Sequence, residues 1–204
     1  MNDIREMTLD DVPSVVDVHL ASFIGFFLSS LGTHFLRELY KSILRDDTHI
    51  ALVCTNEREV LGFVAGSTHP VGFYGRALKR NWRGLVIASI LPILKNPMMA
   101  IRLWRRLIAK RGTRFNSGDA LLMSVAVNPN RQENGIGRQL VSKFLEEASS
   151  RGCASVTLTT DALENDSVNR FYRSMKFQLS KEYITTEGRR MNEYVYTLNG
   201  KRGG

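Results

Sequence analysis

The stretch SVAVNPNRQENGIGRQL, residues 124–140, constrains the fold more than any other part of the sequence. It joins an apolar run of strand length, residues 120–127, to a segment with helical periodicity over about residues 135–151. A glycine-bearing turn that enters a helix leaves backbone N–H groups unpaired at the positive end of the helix dipole. Because Gly135 and Gly137 lack side chains, a diphosphate can approach this backbone closely. On the glycines alone, a phosphate site and ordinary helix capping remain equal alternatives.

Periodicity predicts further elements on both sides of this unit. We expect helices over residues 9–23, about 33–44 and 166–175. Strands are expected weakly over residues 3–8, and more clearly over 49–55, 59–67, 155–160, about 177–184 and 193–198. The strands at 49–67 are joined by a short polar turn and predict a hairpin. At 204 residues the chain is expected to form a single domain, residues 1–204.

The charge of the chain is concentrated in one segment. The net charge is +8, yet no Asp or Glu occurs between Val60 and Gly118, so the rest of the chain is mildly acidic. This interval holds eleven basic residues: Arg76, Lys79, Arg80, Arg83, Lys95, Arg102, Arg105, Arg106, Lys110, Arg111 and Arg114. Residues 70–117 are therefore interpreted as a basic helical insertion within the domain.

The cysteines and histidines indicate no metal site. Cys54 and Cys153 lie in apolar contexts, which predicts buried free thiols in a reducing compartment. His19 falls on an apolar helix face, where a core or rim histidine is commoner than a catalytic one. The other histidines, His34, His49 and His69, share no spacing typical of metal ligands.

The C-terminal half carries two motifs, each in a strand or helix context that suits it. The first consists of Val127-x-Pro129, Gln132-x-x-Gly135-Ile136-Gly137 and Leu140, and the second of Asn165, Tyr172 and Met175-Lys176-Phe177. Together they resemble the GNAT superfamily of acetyl-CoA-dependent N-acetyltransferases. There Gln/Arg-x-x-Gly-x-Gly/Ala binds acetyl-CoA, and an Asn precedes a Tyr by seven residues. The resemblance covers residues 119–198 well and the N-terminal half in outline.

The resemblance implies a fold. We expect a mixed α/β domain whose central sheet has about seven, mostly antiparallel strands. This sheet would be splayed at the fourth and fifth strands and carry helices on both faces. A helical insertion would lie between the third and fourth strands, where the family usually has a short turn.

The resemblance also implies roles for the motif residues. The backbone of the fourth strand would pair with acetyl-CoA, the turn would cradle its pyrophosphate, and one amide would contact it across the cleft. These cofactor-binding residues are Val125, Ala126 and Val127, then Gln132, Glu133, Asn134, Gly135, Ile136, Gly137 and Arg138, and finally Asn165. Tyr172 would be the catalytic general acid that protonates the departing thiolate.

Two positions depart from the family pattern. Lys176 stands where the family usually has Gly, a residue that commonly ends a helix in the left-handed conformation. Some members carry a Glu as general base five residues before the Asn, and here that position is Thr160, which cannot accept a proton. The remaining alternatives are Asp161, Glu164, His49, a water relay, or no base if the amine arrives partly deprotonated.

The basic insertion has three interpretations. Residues 85–94 form an apolar run, and residues 97–110 predict a basic amphipathic helix with Met98, Ile101, Trp104 and Ile108 on its apolar face. The insertion is a packed helical cover, a lid that recognises an anionic acceptor, or a peripheral contact of residues 85–110 with an anionic membrane surface. Long apolar runs argue against nucleic-acid binding.

The sequence thus predicts an enzyme that moves acetyl from acetyl-CoA directly to a primary amine. The expected acceptor is a small or anionic molecule such as an amino sugar or a glycan precursor. Transfer to a protein amine and a non-catalytic acetyl-CoA sensor are the alternatives. The first residues show no basic segment followed by an apolar one, and no apolar run is long enough to span a membrane. We therefore expect a cytoplasmic protein, or one at the inner face of the membrane.

Overall fold

The computed structural model describes residues 2–57, 59–95, 118–185 and 188–198. In these ranges seven strands form one sheet in the order β1-β2-β3-β4-β5-β7-β6. Every neighbouring pair is antiparallel except β4 and β5, which are parallel. The predicted mixed, mostly antiparallel sheet is confirmed. Its strands are β1 (Asp3–Glu6), β2 (His49–Thr55), β3 (Val60–Ser67), β4 (Asp119–Val127), β5 (Ser155–Asp161), β6 (Gln178–Ile184) and β7 (Arg190–Thr197).

Six α-helices accompany the sheet in the described ranges. They are α1 (Val12–Ser22), α2 (Phe27–Ser30), α3 (Gly32–Leu44), α4 (Phe73–Lys95), α5 (Ile136–Ser150) and α6 (Asp166–Ser174). Short 3-10 helices precede two of them, Leu9–Asp11 before α1 and Pro129–Asn134 before α5. The helices expected over 33–44, 135–151 and 166–175 therefore begin and end within about a residue of their expected limits.

Side chains on the two faces of the sheet pack into two separate hydrophobic cores. On β3, Val64 packs in a cluster with α5 and α6. Phe63 and Ala65 of the same strand face the other way, into a cluster with α1 and α3. Since successive side chains of a strand point to opposite faces, this alternation requires helices on both faces, as predicted.

The sheet opens between β4 and β5. Ser124 of β4 pairs with Ala65 and Leu122 pairs with Gly66, so Met123 is an extra residue that forms a β-bulge. β4 and β5 pair only where Asp119–Leu121 meets Ser155–Thr157. Beyond this point the two strands diverge, which is the predicted splay.

The described part of the insertion is helix α4, between β3 and β4 as predicted. Its backbone is non-helical at Asn81, whose side chain donates a 2.8 Å hydrogen bond to the Glu38 carboxylate of α3. After this kink, Leu85 and Ala88 pack on Leu31 and Phe35. The amphipathic helix predicted over residues 97–110 lies outside the described residues.

Candidate active site

A cleft of about 710 Å³ occupies the gap between the diverging ends of β4 and β5. Its walls come from the C-terminal halves of both strands, the end of α1, the start of α5, helix α6 and the β6–β7 hairpin. In the part of the chain that the structure describes, the residues that line the cleft are His19, Ser22, Phe23, Phe26, Phe27, Leu28, Leu122, Met123, Ser124, Val125, Ala126, Val127, Gly135, Gly137, Arg138, Leu158, Thr159, Thr160, Asp161, Asn165, Ser167, Val168, Phe171, Tyr172, Arg189 and Met191.

One end of the cleft is the N-terminus of α5. Gly135 precedes the helix with φ +65°, a left-handed conformation that glycine adopts without strain. None of the described side chains caps this end, so the first amides of α5 are available to an external acceptor. A Cβ added at Gly137 would approach nothing closer than 3.6 Å, so the backbone is open to the cleft. These features fit a diphosphate.

Arg138 fixes this end of the cleft to α6. Its guanidinium donates a 2.9 Å hydrogen bond to the hydroxyl of Ser174 and contacts the sulfur of Met175 at 3.1 Å. The side chain is exposed. A cation therefore stands beside the amides that would receive a diphosphate.

The cleft brings together most of the residues predicted from the motifs. Those that line it are Val125, Ala126, Val127, Gly135, Gly137, Arg138, Asn165 and Tyr172. Ile136 is fully buried in the core and does not line the cleft. Gln132, Glu133 and Asn134 lie in the 3-10 turn, and their side chains are outside the described part of the structure. Their roles toward a cofactor stay predictions.

Tyr172 projects from α6 into the core side of the cleft. Its side chain is 6% exposed and packs edge-on against Phe171 and Phe177, with ring centroids 5.2 and 5.6 Å away. Burial raises the pKa of the phenol above its usual value because it disfavours the phenolate. Tyr172 is therefore protonated at neutral pH, as a proton donor must be.

The end of α6 holds Tyr172 in a Schellman turn. The N–H of Phe177 bonds to the carbonyl of Tyr172 at 3.1 Å, and the N–H of Lys176 to that of Arg173 at 2.9 Å. Lys176 is consequently left-handed, with φ +67°. The corner that the family usually builds with Gly thus has the same shape here with a lysine.

Asn165 supports the junction of β5 and α6 as well as lining the cleft. Its amide nitrogen donates to the Thr160 hydroxyl at 2.7 Å and to the Asp161 carbonyl at 3.2 Å. Buried Asn169 donates to the same carbonyl at 3.0 Å and accepts hydrogen bonds from Asn192 and Tyr194 of β7. The amide nitrogen of Asn165 is therefore used within the protein, which leaves its oxygen for a ligand.

The structure separates the candidate bases. Thr160 and Asp161 line the cleft, but both carboxylate oxygens of Asp161 accept hydrogen bonds from Arg189, at 2.6 and 2.7 Å. Glu164 is exposed and is not among the lining residues. His49 begins β2 opposite Ser67, at the end of the sheet far from the cleft, and bonds to the Asp46 carbonyl at 2.6 Å.

His19 lies in the wall of the cleft. It is buried, as expected for a histidine in the core or at its rim. The residue is 3% exposed, and its Nδ1 is 2.8 Å from the hydroxyl of Tyr40. Tyr40 in turn hydrogen-bonds with the Ser124 side chain on β4. Burial lowers the pKa of His19 to about 4, so its imidazole is neutral at pH 7. Its Nε2 is buried and has no hydrogen-bond partner among the described residues.

The opposite end of the cleft has an aromatic wall that the sequence did not predict. Phe23 and Phe26 pack edge-on at 5.5 Å, and the guanidinium of Arg189 lies 5.7 Å from the centre of the Phe26 ring. Phe26 and Arg189 thus bridge the cleft from the loop after α1 to the β6–β7 hairpin. The consecutive aromatics Phe26-Phe27 were the one signal in the sequence, whereas Arg189 had none.

Comparisons with known proteins agree with the fold and the motifs. The model of the Acetyltransferase (GNAT) family matches residues 98–177. Two soybean (Glycine max) proteins, "Probable acetyltransferase TAP2" and "Histone acetyltransferase TAP1", are 29% and 28% identical over 116 residues, or 56% of this chain. The match spans 44% and 47% of those relatives, less than half of their length.

Similarity to solved structures extends over nearly the whole chain. The PaiA N-acetyltransferase of Thermoplasma acidophilum, solved in complex with coenzyme A, superposes with a TM-score of 0.58 at 14% identity. The superposition covers 96% of this chain and 99% of that one, so the fold is shared. Residues 98–177 thus match the GNAT family of acetyltransferases, and the fold is similar to that of a solved N-acetyltransferase in complex with coenzyme A.

Proposed function

We propose that this chain transfers acetyl from acetyl-CoA directly to a primary amine. One observation carries the proposal: the N-terminus of α5, which none of the described side chains caps, and buried Tyr172 line one cleft where β4 and β5 part. Acetyl-CoA supplies an acetyl thioester when bound. The protein contributes a diphosphate cradle at one end, a free strand edge in the middle and a proton donor beside it.

The edge of β4 is suited to hold the thioester arm. Because β4 stops pairing with β5 after Leu121, the backbone groups of Val125 to Val127 on that side have no strand partner. An N–H there would polarise the thioester carbonyl, since a fixed dipole stabilises the charge that develops on its oxygen. The hydroxyl of Ser22 bonds to the Val127 carbonyl at 3.1 Å and fixes the end of α1 to this strand.

The reaction we propose needs no covalent enzyme intermediate. The amine nitrogen attacks the thioester carbonyl and forms the C–N bond, the C–S bond breaks, and the thiolate takes the proton of Tyr172. The proton lost by the nitrogen passes to water, and the Tyr172 phenolate takes a proton back from water. Both cysteines are buried free thiols, as predicted, and neither lines the cleft. Their burial raises their pKa, which disfavours the nucleophilic thiolate.

The acceptor we propose is a small amine that carries an anionic group, such as an amino sugar or a glycan precursor. The acid-free segment between Val60 and Gly118 supports an anionic acceptor, since its eleven cations attract one. A protein amine is the second candidate, favoured by the similarity to a relative named histone acetyltransferase. A sensor that binds acetyl-CoA without turnover is the third.

Thiol release from acetyl-CoA, measured over a panel of amines, tests the proposal. With an amine that is acetylated, Tyr172→Phe should lower kcat by about 10²-fold or more and leave the KM for acetyl-CoA nearly unchanged. Tyr196→Phe is the matched control, because this half-buried tyrosine of β7 is outside the cleft. An unchanged rate in Tyr172→Phe would refute the acid role, and no turnover with any amine or peptide would leave only the sensor.

A further inference from the structure

Helix α4 carries apolar side chains on a face that the described part of the protein does not cover. Trp82, Val86, Ile87, Ile90 and Leu94 are each between 50% and 75% exposed. At 100° per residue they fall within about 140° of arc, on the side away from buried Leu85, Ala88 and Ser89. We call these five residues the α4 stripe. It extends about 18 Å along the helix.

This exposure is unusual for a water-facing helix. The opposite side of α4 already contributes its share to the core, where Leu85 and Ala88 pack on α3. A contiguous apolar surface of this kind marks a place where another molecule or a lipid surface binds. The stripe is therefore an interaction surface, separate from the cleft.

Charge indicates what binds there. Exposed Arg83 stands at the beginning of the stripe, with its guanidinium 5.5 Å from the centre of the Trp82 ring. Arg80 of the same helix is paired with Asp47 at 2.8 Å. The chain segment around them has eleven basic residues and no acidic one. An apolar face with cations beside it and a tryptophan at one end is typical of helices that lie in the surface of an anionic membrane.

Two other occupants fit these charges less well. A contact between two copies about a two-fold axis would place two acid-free, cationic segments against each other, which repel. Nucleic acid binds the cations but offers nothing apolar to five exposed hydrophobic side chains. A lipid surface satisfies both features at once and needs no shape complementarity from a convex helix.

We propose that the α4 stripe docks this protein on an anionic lipid surface. None of the described helices is long and apolar enough to cross a bilayer, so the contact is with the surface. The aliphatic side chains would enter the boundary between headgroups and acyl chains, while Arg83 remains at the level of the lipid phosphates. The proposal does not depend on acetyl transfer, because an inactive protein would bind in the same way.

Vesicle co-sedimentation of the full chain at physiological salt tests this proposal. We expect binding to vesicles of 30% phosphatidylglycerol in phosphatidylcholine, and at least tenfold weaker binding to phosphatidylcholine alone. Ile87→Asp with Ile90→Asp should reduce the binding at least tenfold. Leu179→Asp with Ile184→Asp makes the same change of charge at two exposed positions of β6. This control should change the binding to anionic vesicles by less than about threefold.

A second readout leaves the stripe intact. The chain has two tryptophans, so Trp104→Phe makes Trp82 the sole tryptophan. Its emission should move to shorter wavelength when the anionic vesicles are added. An unshifted emission, equal binding to both kinds of vesicle, or equal losses in the two double variants would overturn the proposal. So would a dimer in sedimentation velocity that the Ile87→Asp, Ile90→Asp variant converts to a monomer, because a second copy would then cover the stripe.

Discussion

Lys176 holds a left-handed backbone conformation because the Schellman turn after α6 requires one there. A side chain with a Cβ is strained in this region by about 1 kcal/mol, and glycine is not. The strain is maintained by the turn's two hydrogen bonds and by the packing of Phe177 on Tyr172. The position of the proposed acid thus depends on a corner that is not at its most stable.

Replacing Lys176 by Gly should therefore stabilise the protein. We expect the free energy of unfolding to rise by about 0.5–1 kcal/mol, since relief of strain exceeds the extra entropy of glycine in the unfolded chain. Urea unfolding measures the change. Lys176→Ala is the control, because it removes the cation and keeps the Cβ. A gain in Lys176→Ala equal to that in Lys176→Gly would trace the effect to charge instead.

Neutral, buried His19 makes stability depend on pH. Its pKa is about 4 in the folded protein against about 6.5 in an unfolded chain, so the unfolded state binds a proton first as the pH falls. The contribution is fully present above pH 6.5 and is lost between pH 6.5 and about 4. Asp11, whose pKa its ion pair with Arg5 lowers to about 2, acts in a separate window below about pH 4.

We predict that His19→Gln flattens this dependence. Wild-type protein should lose up to about 1.4 kcal/mol of unfolding free energy per pH unit from this group in the middle of the window. His19→Gln should be less stable at pH 7, where it lacks the imidazole contact with Tyr40, but should decline less between pH 6.5 and 4.5. Urea titrations at pH 7.0, 5.5 and 4.5 compare the two slopes, and parallel slopes would exclude His19 as the source.

Individual site residues differ in how far the sequence predicts them. Gly135, Asn165 and Tyr172 belong to local motifs, so their spacing along one strand or helix is enough to assign them to the site. Arg189 and Phe26 meet only because β7 pairs with β5 and the loop after α1 lies across the same cleft. Such contacts between distant loops leave no periodic trace in the sequence.

At the scale of elements, the bulge in β4 decides where the cleft lies. Gly66 faces this bulge, and a Cβ there would come within 2.2 Å of the Leu121 carbonyl oxygen and 2.6 Å of the Phe144 ring. The glycine thus lets β3, β4 and α5 approach one another just before β4 leaves β5. Apolar periodicity predicted the limits of α3, α5 and α6 closely, whereas the last strand was expected over 193–198 and begins at Arg190. The bulge depends on strand pairing and was not predictable.

Gly66→Ala should be strongly destabilising. Neither backbone carbonyl nor buried ring can yield without shifting a strand or helix, so we expect a loss of about 2–3 kcal/mol in unfolding free energy. Gly75→Ala is the matched change, because its Cβ meets nothing within 4 Å and alanine favours the helix, so stability should hold or rise. Thermal unfolding of both variants tests this prediction. Equal unfolding midpoints would show that β4 shifts without cost to accommodate the added methyl group.

For the whole molecule, cofactor, acceptor and surface contacts are assigned to different regions. The start of α5 and the edge of β4 form the proposed cofactor side of the cleft, the Phe26–Arg189 bridge closes the opposite end, and the α4 stripe lies outside the cleft. The resemblance of two motifs was sufficient to predict the overall topology, since the family shares one fold. The acceptor was not predictable in the same way, because the Phe26–Arg189 end of the cleft is formed by distant loops that leave no motif in the sequence.

Acetyl-CoA binding at the start of α5 is tested most directly by calorimetric titration of the wild-type chain, Gly137→Asp and Gln139→Asp. Aspartate in the first turn of a helix favours the fold through the dipole, yet at position 137 it would repel a diphosphate. Gln139 is exposed and does not line the cleft, so Gln139→Asp adds the same negative charge outside it. We predict one acetyl-CoA per chain, at least tenfold weaker binding in Gly137→Asp and a change below about threefold in Gln139→Asp. Wild-type protein that binds no acetyl-CoA, or equal affinity in all three proteins, would contradict the site.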